Sequence, residues 1–128
     1  MEEDVTLGNL SWSSWLPLNK ESIKNLVPQT PGVYQIRPFG AESSAYIGSA
    51  TGRGGLKQRI GQRVSNPLRY LSVFEKRLTQ IGLQLEFCFS ETNNADIAKD
   101  CESQLLNEYK MRRNGKLPPG NKQTPRYS

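Results

Sequence analysis

Glu102 is the residue whose position in the sequence is hardest to explain by solvation. In a helix predicted over residues 94–113, its side chain shares a face with apolar residues three, four and seven positions away (Ala98, Leu105, Leu106 and Tyr109). A carboxylate on an apolar face needs a cation, a metal ion or a proton. A salt bridge to an arginine and a catalytic metal site both meet this need, and both interpretations stay open at this point.

Two tyrosines and two arginines precede Glu102 at spacings that bring them together. Residues 32–37 and 45–49 are rich in β-branched and aromatic residues and predict a hairpin, in which alternation puts Tyr34 and Tyr46 on one face. Arg59 and Arg63 are four residues apart on the helix that follows, so they share a strip of its surface. The chain has no histidine. Imidazole chemistry is therefore excluded, and a carboxylate, phenols and guanidinium groups remain for phosphodiester chemistry.

Three other motifs carry less chemistry than they first suggest. The glycine-rich stretch 49–55 does not complete a phosphate-binding loop, because Gly52 is followed by Arg53 where that motif requires Gly-Lys-Ser/Thr. The Glu-x-Lys triplet at 108–110 resembles part of a common nuclease core, but it falls inside a helical pattern that would make its side chains diverge. Cys88 and Cys101 lack CxxC spacing and predict buried free thiols, and neither a zinc site nor a disulfide framework is indicated.

The net charge of +5 comes largely from two blocks of lysine and arginine, over residues 53–81 and 110–126. Two such blocks suit a polyanion such as nucleic acid, because each neutralised phosphate releases counterions. Solubility alone explains a charge of this size equally well. Besides the basic tail, the side chains that we expect to contact a nucleic-acid backbone are Arg53, Lys57, Arg59, Arg63, Arg69 and Lys76.

The periodicity of the apolar residues predicts an α+β domain with a small antiparallel sheet. Its length suits one domain with a core of its own. The predicted elements are a short helix over 19–27 capped by Asn19, strands over 32–37 and 45–49, a helix with the stripe Leu56, Ile60 and Val64, a second helix from Asn66 to Ile81, a strand over 83–91 with Leu83 facing inward, and the helix over 94–113.

The first residues of the chain predict an intracellular protein. No apolar run approaches the ~20 residues that cross a bilayer, and the acidic start is unlike a signal peptide, so we expect a cytoplasmic protein without a membrane partner. Trp12 and Trp15 are expected to tie the N-terminal segment to the domain. Their alternative role is to bind a partner protein.

Residues 31–121 resemble the GIY-YIG endonuclease family. The resemblance is carried by GVY at Gly32–Tyr34, YIG at Tyr46–Gly48, Arg59 within LKQR and a glutamate on a late helix, Glu102. Each tripeptide alone is weak evidence, but the combination is fairly specific. It divides the chain into an N-terminal extension over residues 1–30, a nuclease-like domain over 31–121 and a basic tail over 122–128.

The resemblance implies a three-stranded antiparallel sheet flanked by helices, and cleavage of DNA with one divalent metal, Mg²⁺ or Mn²⁺. Carried onto this chain, it makes Tyr34 the general base that takes a proton from water, and Tyr46 a residue that orders the site. It makes Arg59 the cation that neutralises the scissile phosphate, and Glu102 the metal ligand. Asn121 matches an asparagine that often follows the last helix in the family. The substrate is then duplex or branched DNA, with a homodimer or a targeting partner needed for strong sequence specificity.

The sequence departs from the family pattern at Arg63, where the family often has histidine or tyrosine. Arginine cannot accept a proton near neutral pH, so Arg63 cannot relay one. We expect its charge to lower the phenol pKa of Tyr34 from the reference value of about 10. A second departure is Ser49, which stands where some members have lysine. The alternative function is a nuclease-like module that binds nucleic acid without cutting it, with Arg63 marking the lost activity.

Overall fold

An antiparallel sheet of four strands carries helices on both faces in the computed structural model, which describes residues 10–121. The strand order is β1-β4-β2-β3. The strands are β1 (Leu16–Pro17), β2 (Gly32–Pro38), β3 (Tyr46–Ala50) and β4 (Leu85–Glu91). The helices of the described chain are α1 (Lys20–Leu26), α2 (Gly55–Ser65), α3 (Pro67–Tyr70), α4 (Val73–Gln80) and α5 (Ala95–Arg112). The first nine residues of the predicted N-terminal extension and the predicted basic tail, 122–128, lie outside the described residues.

The predicted α+β class is confirmed, but the sheet has one strand more than the three that were expected. The extra strand, β1, pairs with β4 through Leu16 opposite Phe87 and Pro17 opposite Glu86. A strand of two residues that contains proline has no alternation to detect, so its pattern did not predict a strand. The segment before residue 31 therefore contributes to the sheet itself.

The predicted hairpin is confirmed as β2 and β3. Tyr34 stands opposite Gly48, and Ile36 stands opposite Tyr46. Tyr34 and Tyr46 share one face of the sheet, as their alternation predicted, and their ring centroids are 6.0 Å apart. The hairpin thus delivers both tyrosines to the face that α2 covers.

Two apolar clusters hold the helices against the two faces of the sheet. On one face, the predicted α2 residues Leu56 and Ile60 are fully buried against Tyr34 and Phe87. On the other face, Leu105 of α5 is fully buried with residues of β2 and β3, and Trp12 packs against the same cluster. Each helix is positioned by an apolar stripe at its expected spacing, which leaves its flanking polar residues to face the edge of the sheet.

The second predicted helix, from Asn66 to Ile81, is wrong as a single element. The structure breaks it into α3 and α4, because Ser72 forms a capping box with Glu75 and begins a new helix. Leu83 was also predicted to face inward, but it is 44% exposed, and β4 begins at Leu85. Within residues 10–121, no helix combines the length and the apolar character needed to cross a lipid bilayer.

Candidate active site

A cleft of about 290 Å³ lies along β3, between residues of α2 and residues of α5. β3 is an edge strand, so side chains from helices on opposite faces of the sheet meet around it. Three residues selected from the sequence line this cleft, namely Tyr46, Arg59 and Glu102. The remaining lining residues are Ser49, Thr51, Gly52, Gly55, Gln58, Gln62 and Lys99.

Glu102 is half-buried and faces Ser49 across the edge of the sheet. The Ser49 hydroxyl donates a hydrogen bond of 2.5 Å to Oε1 of Glu102. Within residues 10–121, Glu102 forms no ion pair; the two ion pairs described there are Arg37–Glu86 and Arg63–Glu75. The salt-bridge explanation for this carboxylate therefore finds no support in the described part of the chain, and Glu102 keeps coordinating capacity toward the cleft.

Tyr34 and Tyr46 pack against the backbone of Gly48. A Cβ atom added at Gly48 would lie 2.7 Å from the Tyr46 ring and 2.9 Å from the Tyr34 hydroxyl oxygen, so no larger residue fits beneath the two rings. Tyr34 is 0% exposed and, unlike Tyr46, does not line the cleft. Its hydroxyl is buried without a hydrogen-bond partner among the described residues.

Arg63 packs against the rings of the two tyrosines and, unlike Arg59, does not line the cleft. Its guanidinium carbon is 4.1 Å from the centroid of the Tyr46 ring and 5.8 Å from that of the Tyr34 ring. Its Nη2 donates to Oε1 of Glu75 at 3.1 Å, and the two side chains are 5% and 0% exposed. The expected phosphate contact at Arg63 is therefore corrected, because a buried cation that is paired with a carboxylate has no surface to offer a DNA backbone.

The tyrosines and their neighbours are electrostatically coupled. Burial raises the pKa of Tyr46 well above its ordinary value, and the nearby Tyr34 and Glu102 raise it further, while Arg63 and Arg59 lower it. Burial by itself lowers the pKa of Arg63, but Tyr34, Glu75 and Tyr46 outweigh this effect and raise it. Arg63 is consequently a permanent buried cation facing a neutral phenol.

Asn121 does not line the cleft. Its Oδ1 accepts a hydrogen bond from the backbone N–H of Ile47 at 2.9 Å, and its Nδ2 donates to the Ile47 carbonyl at 2.8 Å. The Gly120 N–H adds a bond to the Ala45 carbonyl at 2.6 Å. These contacts occupy the outer edge of β3, so Asn121 acts on the site by fixing the strand that carries Tyr46.

The remaining predicted DNA contacts are surface cations in different settings. Arg53 and Arg59 are exposed, and Arg59 also lines the cleft. Arg69 is exposed and stacks on Tyr70, with 5.4 Å from its guanidinium carbon to the ring centroid. Lys57 and Lys76 are half-buried, and Nζ of Lys57 donates to the Lys24 carbonyl at 3.0 Å. Each of these five side chains, unlike Arg63, keeps some solvent-exposed surface that can contact a phosphate.

Sequence reasoning missed Lys99, Gln58 and Gln62. Lys99 lies three residues before Glu102, and this spacing alone puts both side chains on one side of α5. Gln58 lies next to Arg59 on α2, and Gln62 lies three residues beyond it, which brings all three side chains to the same cleft wall. Helical spacing from Arg59 would have found Gln62, and from Glu102 it would have found Lys99; Gln58 follows only from Gln62, four residues away.

Backbone hydrogen bonds tie the start of α2 to the chain that precedes β2. The Leu56 N–H donates to the Thr30 carbonyl at 2.8 Å, and the Lys57 N–H donates to the Pro28 carbonyl at 3.0 Å. Two of the donors that a helix start usually leaves open are thus satisfied by the preceding chain. These two donors are therefore not open to an anion in the cleft.

Comparison with protein-family models, with curated proteins and with solved structures finds no match for this chain. The residues of the cleft and the chemistry that they allow are therefore the basis for its function.

Proposed function

We propose that this protein is a metal-dependent endonuclease that hydrolyses DNA phosphodiester bonds, with a nuclease-like fold of the GIY-YIG type. One observation carries the proposal. Tyr46, Arg59 and Glu102 come from three separate elements, were selected from the sequence for nuclease chemistry, and line the same cleft. A phenol, a guanidinium and a carboxylate around one small cleft form a set that can bind a phosphodiester and assist its hydrolysis.

Glu102 is the proposed ligand of a single divalent ion, Mg²⁺ or Mn²⁺. Within the described residues, no group of three or more acidic, cysteine or histidine side chains is placed to hold a metal ion. A single carboxylate still suits Mg²⁺, which keeps several of its waters and is completed by substrate phosphate oxygens. When bound, the ion supplies a Lewis acid that stabilises negative charge on the phosphate. The donor set therefore fits one ion and does not fit a two-metal site.

The remaining site residues bind the phosphate and accept the proton. Arg59 is exposed on the cleft wall, and its guanidinium neutralises the scissile phosphate. Tyr34 is the proposed general base, which takes the proton of the attacking water, and the neighbouring Tyr46 lines the cleft. The unpartnered hydroxyl of Tyr34 supports this role, because a buried polar group without a partner is rare unless function retains it.

The alternative is a nuclease-like module that binds nucleic acid without cutting it, and one observation favours it. Tyr34 is 0% exposed, so its hydroxyl meets water only if the residues that cover it move. The partner-binding alternative at Trp12 and Trp15 is less favoured, because both rings are half-buried. Trp12 packs against the apolar cluster around Leu105 of α5, and the guanidinium carbon of Arg37 lies 3.9 Å from the centroid of the Trp15 ring.

The proposal is tested by incubating the purified protein with supercoiled plasmid and Mg²⁺ or Mn²⁺. We expect nicked and linear products with metal and none with EDTA. Glu102→Gln should abolish cleavage and leave DNA binding nearly unchanged, because it removes the metal ligand and spares the cations. Glu108→Gln, on the same helix but outside the cleft, is the matched control and should cut like the unmodified protein. Binding without cleavage in either metal would favour the binding module.

A further inference from the structure

Lys99 is a second cation in the cleft, and no carboxylate of the described chain pairs with it. It is exposed on α5, one turn before Glu102. Asp96 and Asp100 are its neighbours along the helix, yet the ion pairs described within residues 10–121 involve neither Lys99 nor these acids. A lysine that lines a cleft and forms no ion pair with the nearest carboxylates is available to an anionic ligand.

The charges around the cleft exceed what one phosphate requires. Arg59 lies on the α2 wall and Lys99 on the α5 wall, while Glu102 is the lining carboxylate. In the proposed reaction Glu102 is engaged by the divalent ion, and Arg59 neutralises the scissile phosphate. Lys99 then lines the cleft with no carboxylate paired to it, and an exposed cation on a cleft wall attracts a second anionic group.

The second anion is supplied by the substrate itself. A nucleic-acid strand carries one negative charge at every nucleotide, so any phosphodiester within a strand has charged neighbours on the same backbone. The cleft, at about 290 Å³, is at the small end of ligand cavities, about 300–1,000 Å³. It suits a short length of one backbone that passes between α2 and α5.

We propose that Lys99 binds the phosphate next to the scissile phosphate on the strand being cut. The assignment rests on the proposed nuclease function and adds a requirement on the substrate. A flanking phosphate must be present and charged, so a dinucleotide with a single phosphodiester is a poor substrate. Lys99 acts as a point charge here, and an arginine in its place keeps the contact.

The test replaces single flanking phosphates by neutral methylphosphonates in an oligonucleotide whose cleavage site has first been mapped. Four proteins are compared in single-turnover cleavage and in binding with EDTA: the unmodified protein, Lys99→Gln, Lys99→Arg and Lys20→Gln. Lys20 is an exposed lysine at the start of α1, outside the cleft, and controls for the loss of one surface charge. We expect Lys99→Gln to lose about tenfold in cleavage efficiency or affinity, as for one charge-assisted hydrogen bond. Lys99→Arg and Lys20→Gln should stay within about twofold of the unmodified protein.

The methylphosphonate strands identify the phosphate. In the unmodified protein, neutralising one of the two flanking phosphates should cost about as much as Lys99→Gln does. In Lys99→Gln, the same replacement should cost nothing further, because the contact is already lost. Independent, multiplying losses would overturn the assignment, and so would a Lys99→Gln protein that equals Lys20→Gln.

Failure of the wider proposal looks different. A protein that neither binds nor cuts DNA in Mg²⁺ or Mn²⁺ overturns both the nuclease function and the role of Lys99. A protein that binds without cutting overturns the nuclease function alone, and the affinities of the same strands then decide the role of Lys99. A protein that cuts normally without Lys99 overturns only the present inference.

Discussion

The hydroxyl of Tyr34 is the single group at which stability and the proposed function make opposite demands. It is buried, lies within 2.9 Å of the position that a Cβ of Gly48 would occupy, and has no hydrogen-bond partner among the described residues. A buried donor without a partner costs about 1–3 kcal/mol. A chain selected for stability alone would be expected to have phenylalanine at this position.

We therefore predict that Tyr34→Phe raises the free energy of unfolding by about 1 kcal/mol while abolishing cleavage. Urea denaturation measures the first effect, and plasmid nicking measures the second. Tyr109→Phe, on α5 outside the cleft, is the control and should cut normally. Retained cleavage in Tyr34→Phe would remove the general-base assignment, and lost stability would show that the hydroxyl has a partner.

The pair formed by Arg63 and Glu75 is a buried ion pair whose partners depend on each other. Removing one partner of such a pair typically costs about 3–5 kcal/mol, because the other charge is left uncompensated. We predict a loss of this size for Arg63→Gln, and recovery of most of it in the double variant Arg63→Gln/Glu75→Gln. The free energies of unfolding of the single and double variants measure the coupling, and additive losses would contradict it.

The same double variant makes a prediction about pH. Arg63 lowers the pKa of Tyr46, so removing its charge raises that pKa further. A cleavage rate that rises with pH through ionisation of Tyr46 should then have its midpoint at higher pH in Arg63→Gln/Glu75→Gln. The direction follows because a nearby cation favours the phenolate. A pH profile of single-turnover cleavage checks this prediction. An unchanged midpoint would mean that the charge of Arg63 does not affect the ionisation on which cleavage depends.

At the scale of elements, periodic patterns predicted the hairpin, α2 and α5 and therefore most of what forms the cleft. They failed where a local contact overrides the pattern. The apolar spacing from Leu68 to Ile81 suits one helix, yet Leu68 is 80% exposed and Ile81 is 72% exposed, because Ser72 ends the continuity. The Ser72-x-x-Glu75 capping signal was present in the sequence and outweighs the heptad-like spacing.

The capping box gives a prediction at the same scale. The Ser72 hydroxyl accepts a hydrogen bond from the Glu75 N–H at 3.1 Å, and Glu75 Oε1 accepts one from the Ser72 N–H at 2.8 Å. Ser72→Ala should cost about 1 kcal/mol of stability, measured by thermal or urea denaturation. Ser103→Ala, an exposed position inside α5, is the control and should be nearly neutral. A silent Ser72→Ala would mean that α4 does not need its cap.

At the scale of the whole molecule, the sequence predicted which residue types meet in the cleft but not which cations face solvent. Arg59 and Arg63 are four residues apart and were expected to act together. They separate because Glu75, brought close by the break before α4, pairs with Arg63 and holds it under the tyrosines. A contact between α2 and α4 cannot be deduced from the periodicity of either helix alone.

This separation predicts how DNA affinity depends on salt. Each cation that neutralises a phosphate adds to the slope of log affinity against log salt concentration, so replacing one should reduce the slope by about one. We expect Arg59→Gln and Arg53→Gln to do so, because both side chains are exposed. Arg63→Gln/Glu75→Gln removes one charge of each sign from the interior and should leave the slope unchanged. Titrations of a labelled duplex at several salt concentrations measure the slopes. A reduced slope in the double variant would mean that Arg63 contacts a phosphate after all.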